Sequence, residues 1–236
     1  MTSERARAVL AALEAMADPA RLDGMRRYGI ATDRAIGVGV TDLRRFARSI
    51  GRDHRLAGEL WRSGVHEARM LATIVDEPAL VTPAQMDAWV RAFDSWDLCD
   101  GACGNLFDRT PYWFDKAVEW SAHEPEFERR AGFALMAWSA VHRTDQPDRR
   151  FERFFPLIRR RATDDRNYVK KAVSWALRQI GKRGPELNAQ AIRTARRIAT
   201  IDDPAARWIA RDALRELESP KVQERVRGRA ARVGAS

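Results

Sequence analysis

Glu128-Arg129-Arg130-Ala131-Gly132-Phe133-Ala134-Leu135 and Tyr168-Val169-Lys170-Lys171-Ala172-Val173-Ser174-Trp175-Ala176-Leu177 read as two copies of one helix. In each, a cation precedes an alanine, and Ala131 and Ala172 stand 41 positions apart. A fainter copy runs Ala205-Ala206-Arg207-Trp208-Ile209-Ala210-Arg211-Asp212-Ala213-Leu214, and a still fainter one Glu67-Ala68-Arg69-Met70-Leu71-Ala72. Small residues at these positions let helices approach closely. The Arg or Lys just before them is expected beyond the buried stripe.

Working outward, apolar residues recur at three- and four-residue spacing, and breakers interrupt them at short intervals. Asp18-Pro19, Glu77-Pro78, Thr110-Pro111, Glu124-Pro125, Gln146-Pro147, Gly184-Pro185, Asp203-Pro204 and Ser219-Pro220 mark boundaries. In several, Pro falls at a first helical position, where its missing N–H costs nothing. Ile36-Gly37-Val38-Gly39-Val40 is the one β-like run, and its glycines make it a loop between helices. A helical repeat of about 40 residues is the signature of HEAT-like arrays. The predicted fold is therefore all-α: a solenoid of HEAT-like repeats in one domain over 1–236, curved around a concave, basic face. Residues 219–236 carry five cations and one anion, as a basic arm on phosphates or a solvated last helix.

The chain has 236 residues, 45% of them hydrophobic, enough for a sizeable core. Lys and Arg number 42 against 33 Asp and Glu, a formal charge of +9. That excess favours an acidic partner. Nucleic acid is preferred to a membrane, because no long apolar segment or basic amphipathic anchor stands out. No signal-peptide core follows Met1, and a cytoplasmic protein is expected. Cys99 and Cys103, four apart on one helix, are expected to be reduced; two thiolates alone make half a metal-ligand set, so neither metal nor cofactor is expected. A solenoid with closed ends needs no partner subunit, so a monomer is expected.

Chemistry concentrates in Phe93-Asp94-Ser95-Trp96-Asp97-Leu98-Cys99-Asp100-Gly101-Ala102-Cys103-Gly104-Asn105. Trp96 and Asp100 are spaced i, i+4 and project from one helix face. A carboxylate beside an aromatic plate, inside a cationic protein, suits a transient cation on a polyanion. The plainer alternative makes Asp97 a first-turn carboxylate and Asp100 a capped or salt-bridged one. Trp175 lies among Lys170, Lys171, Arg178, Lys182 and Arg183, a cationic face suited to phosphate and sugar, or simply a soluble one. Arg130 is either a phosphate clamp or a repeat-to-repeat ion pair. Tyr28, after Arg26 and Arg27, either stacks on DNA or caps a small cluster. His54, His66, His123 and His142 share no motif and read as structural or surface residues. No Ser-His-Asp set, Walker loop or dinucleotide fingerprint is present.

Trp96-Asp97-Leu98-Cys99-Asp100, followed by Lys171-Ala172-Val173-Ser174-Trp175-Ala176-Leu177-Arg178, resembles the AlkD-type DNA alkylation repair enzymes, bacterial HEAT-like DNA glycosylases. The likeness runs from about Met25 to Leu217. It implies hydrolysis of the N-glycosidic bond of N3- or N7-alkylated purines in duplex DNA, without flipping the base into a pocket, unlike most base chemistry. It implies that Asp100 is the catalytic carboxylate and that Trp96 and Trp175 embrace the lesion's deoxyribose. It places Arg130 near the lesion backbone and Tyr28 near the DNA. The chain departs from the family at Ser95, where well-known members carry a second Trp. It departs again at Gly37-Val38-Gly39-Val40, which lacks a polar side chain that some members place near the catalytic water. Relatives that bind DNA, branched forms included, without excising bases supply an alternative function. A protein-interaction scaffold is a further one.

Overall fold

The computed structural model describes residues 2–233, with side chains as far as 228. The described residues form α-helices, two short 3-10 turns and loops, with no strand among them. The run 36–40 is a loop, as its glycines require, and helix begins at Val40. No helix among the described residues is long and apolar enough to cross a membrane. The helices gather into two compact units, one up to Tyr112 and one from Trp113 onward.

The first unit holds α1 Glu4–Ala15, α2 Leu22–Arg27, α3 Val40–Ile50, α4 His54–Arg62, α5 His66–Val75, α6 Pro83–Arg91 and α7 Trp96–Asn105. Helix starts follow local chemistry. Ser3, Asp53 and Thr82 accept from backbone N–H groups of the first turns of α1, α4 and α6, and Pro83 takes a first helical position. The centre of this unit is α5. It packs against α3, α4 and α7, and all its residues but Ile74 are buried. Its neighbours bring Leu43, Leu60 and Leu98 to full burial, each worth roughly 1.5–3 kcal/mol against an exposed side chain.

The second unit holds α8 Trp113–Trp120, α9 Glu126–His142, α10 Asp148–Glu152, α11 Phe155–Arg160, α12 Asn167–Gly181, α13 Pro185–Ala199, α14 Pro204–Leu217 and α15 Pro220–Val233. Pro185, Pro204 and Pro220 begin their helices, and Asp203 caps α14 by accepting from the Ala206 N–H. The basic stretch after Ser219 is thus a helix as far as Val233; residues 234–236 lie outside the described region. The seam between α9 and α12 is the most extensive contact of the unit. Gly132 makes the other side of α9 possible: a Cβ there would run into the backbone of Trp120 and Ser121, so only glycine lets α8 and α9 close.

Repeat stacking can be read from the hydrogen bonds of this unit. Arg130 donates to the Tyr168 carbonyl (2.6 Å), Ser174 Oγ to Asp212 (2.7 Å), and Arg178 to Glu216; each pair is 38 residues apart. A ladder with that separation is what successive helix pairs of a repeat array produce.

Candidate nucleic-acid interface

In the first unit the decisive helix is α7. Ser95 precedes it, fully buried, but its hydroxyl does not cap the helix. It donates instead to Asp97 Oδ1 (2.7 Å), whose other oxygen meets His66 Nε2 at 2.9 Å. In this largely buried pair both shifts favour the charged forms. Burial opposes charge on His66, but the hydrogen bond and charge of Asp97, with Glu67 and Asp94 behind it, raise the imidazole above its ordinary value. Burial likewise pushes Asp97 up, and the His66, Ser95 and Leu98 contacts outweigh it to hold the carboxyl low. His66, expected to be structural or a surface group, is therefore the anchor that fixes the start of α7 to α5. Its sequence carried no motif; only the fold brings it to Asp97.

The next residue of α5 fastens the loop. Glu67 accepts from the Ile36 N–H (2.9 Å) and the Gly37 N–H (2.7 Å). Gly37 has φ +85°, and a Cβ there would strike the Asp18 carbonyl, so this turn demands glycine twice over. Between loop, α3, α5 and α7 lies a cavity of about 140 Å³, walled chiefly by Met25, Ile30, Val38, Leu43 and Met70, with His66, Glu67 and Asp97 at its polar end.

Trp96 opens α7, half-buried, and its indole Nε1 donates to the Tyr28 carbonyl (2.8 Å). The Tyr28 ring stays 76% exposed. Asp100 stands one turn after Trp96, half-exposed, and the helix is drawn in behind it: Gly101 leaves only 2.6 Å between the site of a Cβ and Met70 Sδ. Cys99 and Cys103 form no disulfide and are fully buried. Burial first, then the Cys99 thiol and the charges of Asp100 and Asp108, push the Cys103 thiol well above its ordinary range, so it stays protonated. Among the described residues no group of three or more His, Cys, Asp or Glu is arranged to hold a metal ion.

In the second unit Trp175 is half-buried on α12 and meets Trp138 of α9 edge-on (5.4 Å, 83°); Trp138 in turn stacks on His142 (5.0 Å, 26°). Lys170 lies over the Trp208 ring at 5.3 Å, and Lys171 is exposed. Sequence reasoning passed over Trp138 and Trp208. The signal was their spacing, 37 positions before and 33 after Trp175, one indole per repeat.

Two expectations need correction here. Arg130 does not lie beyond the buried stripe. It is only 6% exposed, and its guanidinium is held by the Tyr168 carbonyl across the α9–α12 seam. Nor is the face of α12 uniformly cationic. Arg178 is paired with Glu216 and with Asp212 (3.3 Å), and Lys182 with Glu216 (2.5 Å). The Arg183 side chain is largely covered, donating to Asp148 and to the carbonyls of Ala140, Arg143 and Gln146. These cations sit within reach of α14, of α10 or of the end of α9 and the loop after it, and satisfy acceptors there, which one-dimensional charge counting does not reveal.

The helical stack and its repeat ladder define a HEAT-like repeat protein. A solved structure described as "a new family of proteins related to the HEAT-like repeat DNA glycosylases with affinity for branched DNA structures" has the same fold: TM-score 0.75 at 20% identity, covering 89% of this chain and 95% of that one. The family model of the DNA alkylation repair enzymes matches residues 9–217, and the chain belongs to that family. No curated protein matches it.

Proposed function

We propose that the protein is a DNA glycosylase that hydrolyses the N-glycosidic bond of cationic N3- or N7-alkylated purines in duplex DNA, with Asp100 as the catalytic carboxylate. The observation that carries this reading is the family match over 9–217, which spans Trp96, Asp100 and Trp175. An alkylated purine of this kind already bears a positive charge, so the leaving base needs no general acid. The barrier lies at the deoxyribose, which becomes an oxocarbenium-like cation. A carboxylate at ~4 Å, at an effective dielectric of ~20, attracts that cation by about 4 kcal/mol. Only the part gained on the way to the transition state accelerates the reaction. Asp100 also orients the attacking water.

Trp96 supports the role assigned to it because its ring is fixed by the Tyr28 carbonyl before any ligand arrives. Indole faces exclude bulk water and present electron density to the positively polarised sugar. In this reading Trp175 is the second plate, Tyr28 and Lys171 contact the DNA from exposed positions, Lys170 acts near phosphates, and Arg178 and Lys182, paired with Glu216, act by holding α12 against α14. Arg130, being buried, acts by holding α12 in register with α9.

The test is release of free base from N-methylated duplex DNA by the protein and by Asp100→Asn. Binding without release by the variant supports the assignment; equal release removes Asp100 from it. A second reading is a non-catalytic binder of branched DNA, favoured by the description of the similar solved structure. Failure of the unaltered protein to release base, with tighter binding to a four-way junction than to duplex, selects it.

A further inference from the structure

A second groove in the first unit shares no lining residue with α7. It measures about 550 Å³ and lies between α4 and α6. Its floor is rigid: Trp61 and Trp89 stack face to face (4.0 Å, 1°), and the Arg69 guanidinium covers Trp61 at 4.6 Å. Arg55 and Arg62 line it from α4. Seven positions apart, they stand about 10 Å from each other along the helix axis. Gly58 lies between them and leaves the wall low; a Cβ there would come within 3.3 Å of the Arg62 guanidinium.

The charge in this groove is unbalanced. The Arg55 side chain is 84% exposed, with only a 3.3 Å contact to Glu59. Arg62 is exposed and has no ion pair among the described residues. The carboxylates bonded to the groove's lining residues, Glu59 and Asp76, are buried and already occupied. Glu59 accepts from the Ser3 N–H (2.8 Å) and hydroxyl (2.6 Å). Asp76 is held by His54 (2.6 Å) and Gln85 (2.7 Å), both of which line the groove. The groove therefore presents cations and no exposed acid.

We propose that the α4–α6 groove is a second phosphate-binding surface, which takes the sugar–phosphate backbone of a nucleic-acid segment other than the one engaged at α7. It rests on the nucleic-acid reading of the protein but not on catalysis. An acidic peptide fits less well. Peptide recognition relies on apolar anchors in open pockets, and here the two indoles are almost wholly covered by each other and by Arg69. Guanidinium groups on a low wall are what backbone phosphates require.

The test compares the full chain with an Arg55→Gln/Arg62→Gln double variant, on an unmodified four-way DNA junction and a short duplex, across a salt series. Each lost phosphate contact flattens the plot of log affinity against log salt by about 1. The expected result is a junction slope flatter by about 2 in the double variant, with the duplex slope and the melting temperature unchanged. Restoration of the slope by Arg55→Lys/Arg62→Lys ties it to charge. An unchanged junction slope overturns the proposal. Equal flattening on the short duplex also overturns it, by placing both arginines on the primary path. So does binding of polyglutamate that the double variant loses while its DNA slopes stay put. Base release from alkylated duplex, measured alongside, is expected to be unaffected; its absence from both proteins counts against catalysis and leaves the slope comparison standing.

Discussion

The two units solve the same packing problem with different regularity. In the second, helix pairs are tied at a constant separation, with three side-chain bonds spanning 38 residues each. In the first, ties are less uniform: Arg69 to Asp94 spans 25 residues, His66 to Asp97 31 and Ser3 to Glu59 56, while a loop from Gly29 to Gly39 interrupts the helices. The regular unit devotes its ionic groups to the seams. The irregular one sets His66 and Asp97 together at the polar end of a cavity behind α7. Regular stacking builds a scaffold. Departures from it free side chains for other work, and Trp96 and Asp100 sit beside the largest departure.

The sharpest way to break this contrast is in the seam of the regular unit. Gly132→Val forces a branched side chain into the Ser121 backbone and should unfold the second unit, or lower its stability by roughly 3 kcal/mol or more. Thermal unfolding checks this; a loss under 1 kcal/mol means α8 and α9 can part at little cost. Next comes Asp100→Asn, for which base release should fall by about 10²–10³-fold, the scale of losing one electrostatic stabiliser of a transition state. Its melting temperature should stay close to that of the unaltered protein, because the residue is half-exposed.

His66→Gln probes the irregular unit. The folded-state value of His66 is raised, so the stability it adds is complete below its unfolded value of about 6.5 and is lost as pH rises through the folded value. Asp97 is lowered, so its share is present above about pH 3.9 and is lost on acidification through its folded value. The unaltered protein should therefore exceed His66→Gln by about 1–2 kcal/mol at pH 5.5, the scale of a hydrogen bond to a charged group, with the gap narrowing by pH 9. A gap that does not change with pH rejects the charged pair. The smallest effect is expected at the surface of α12. Lys171→Ala should flatten the salt dependence of DNA binding by about 1 and leave stability within 0.5 kcal/mol. Arg178→Ala instead loosens the tie to Glu216.

This contrast also governs how much a reader of the sequence could see. The stacked repeats were legible because Ala131 and Ala172 recur at one spacing and the proline breaks fall where helices begin. The loop at 36–40 was legible from its glycines. Trp96 and Asp100 were legible as a helical pair. The His66–Asp97 contact was not, since two residues 31 apart on different helices share no periodic signal. The burial of Arg130 was hidden for a related reason: a cation next to a packing alanine reads as surface until the carbonyl of Tyr168 is seen waiting for it. Charge totals misjudged α12 because Asp212 and Glu216 arrive from another helix.

The two sealed thiols of α7 have a practical consequence. Cys99 and Cys103 are shielded from solvent, and the Cys103 thiol keeps its proton. An alkylating reagent can reach them only when the first unit opens. Their rate of labelling is thus a native stopwatch for that opening, with no probe engineered into the chain. If bound DNA clamps α7, the stopwatch slows, and the logarithm of the ratio of the two rates gives how far binding raises the free energy of that opening.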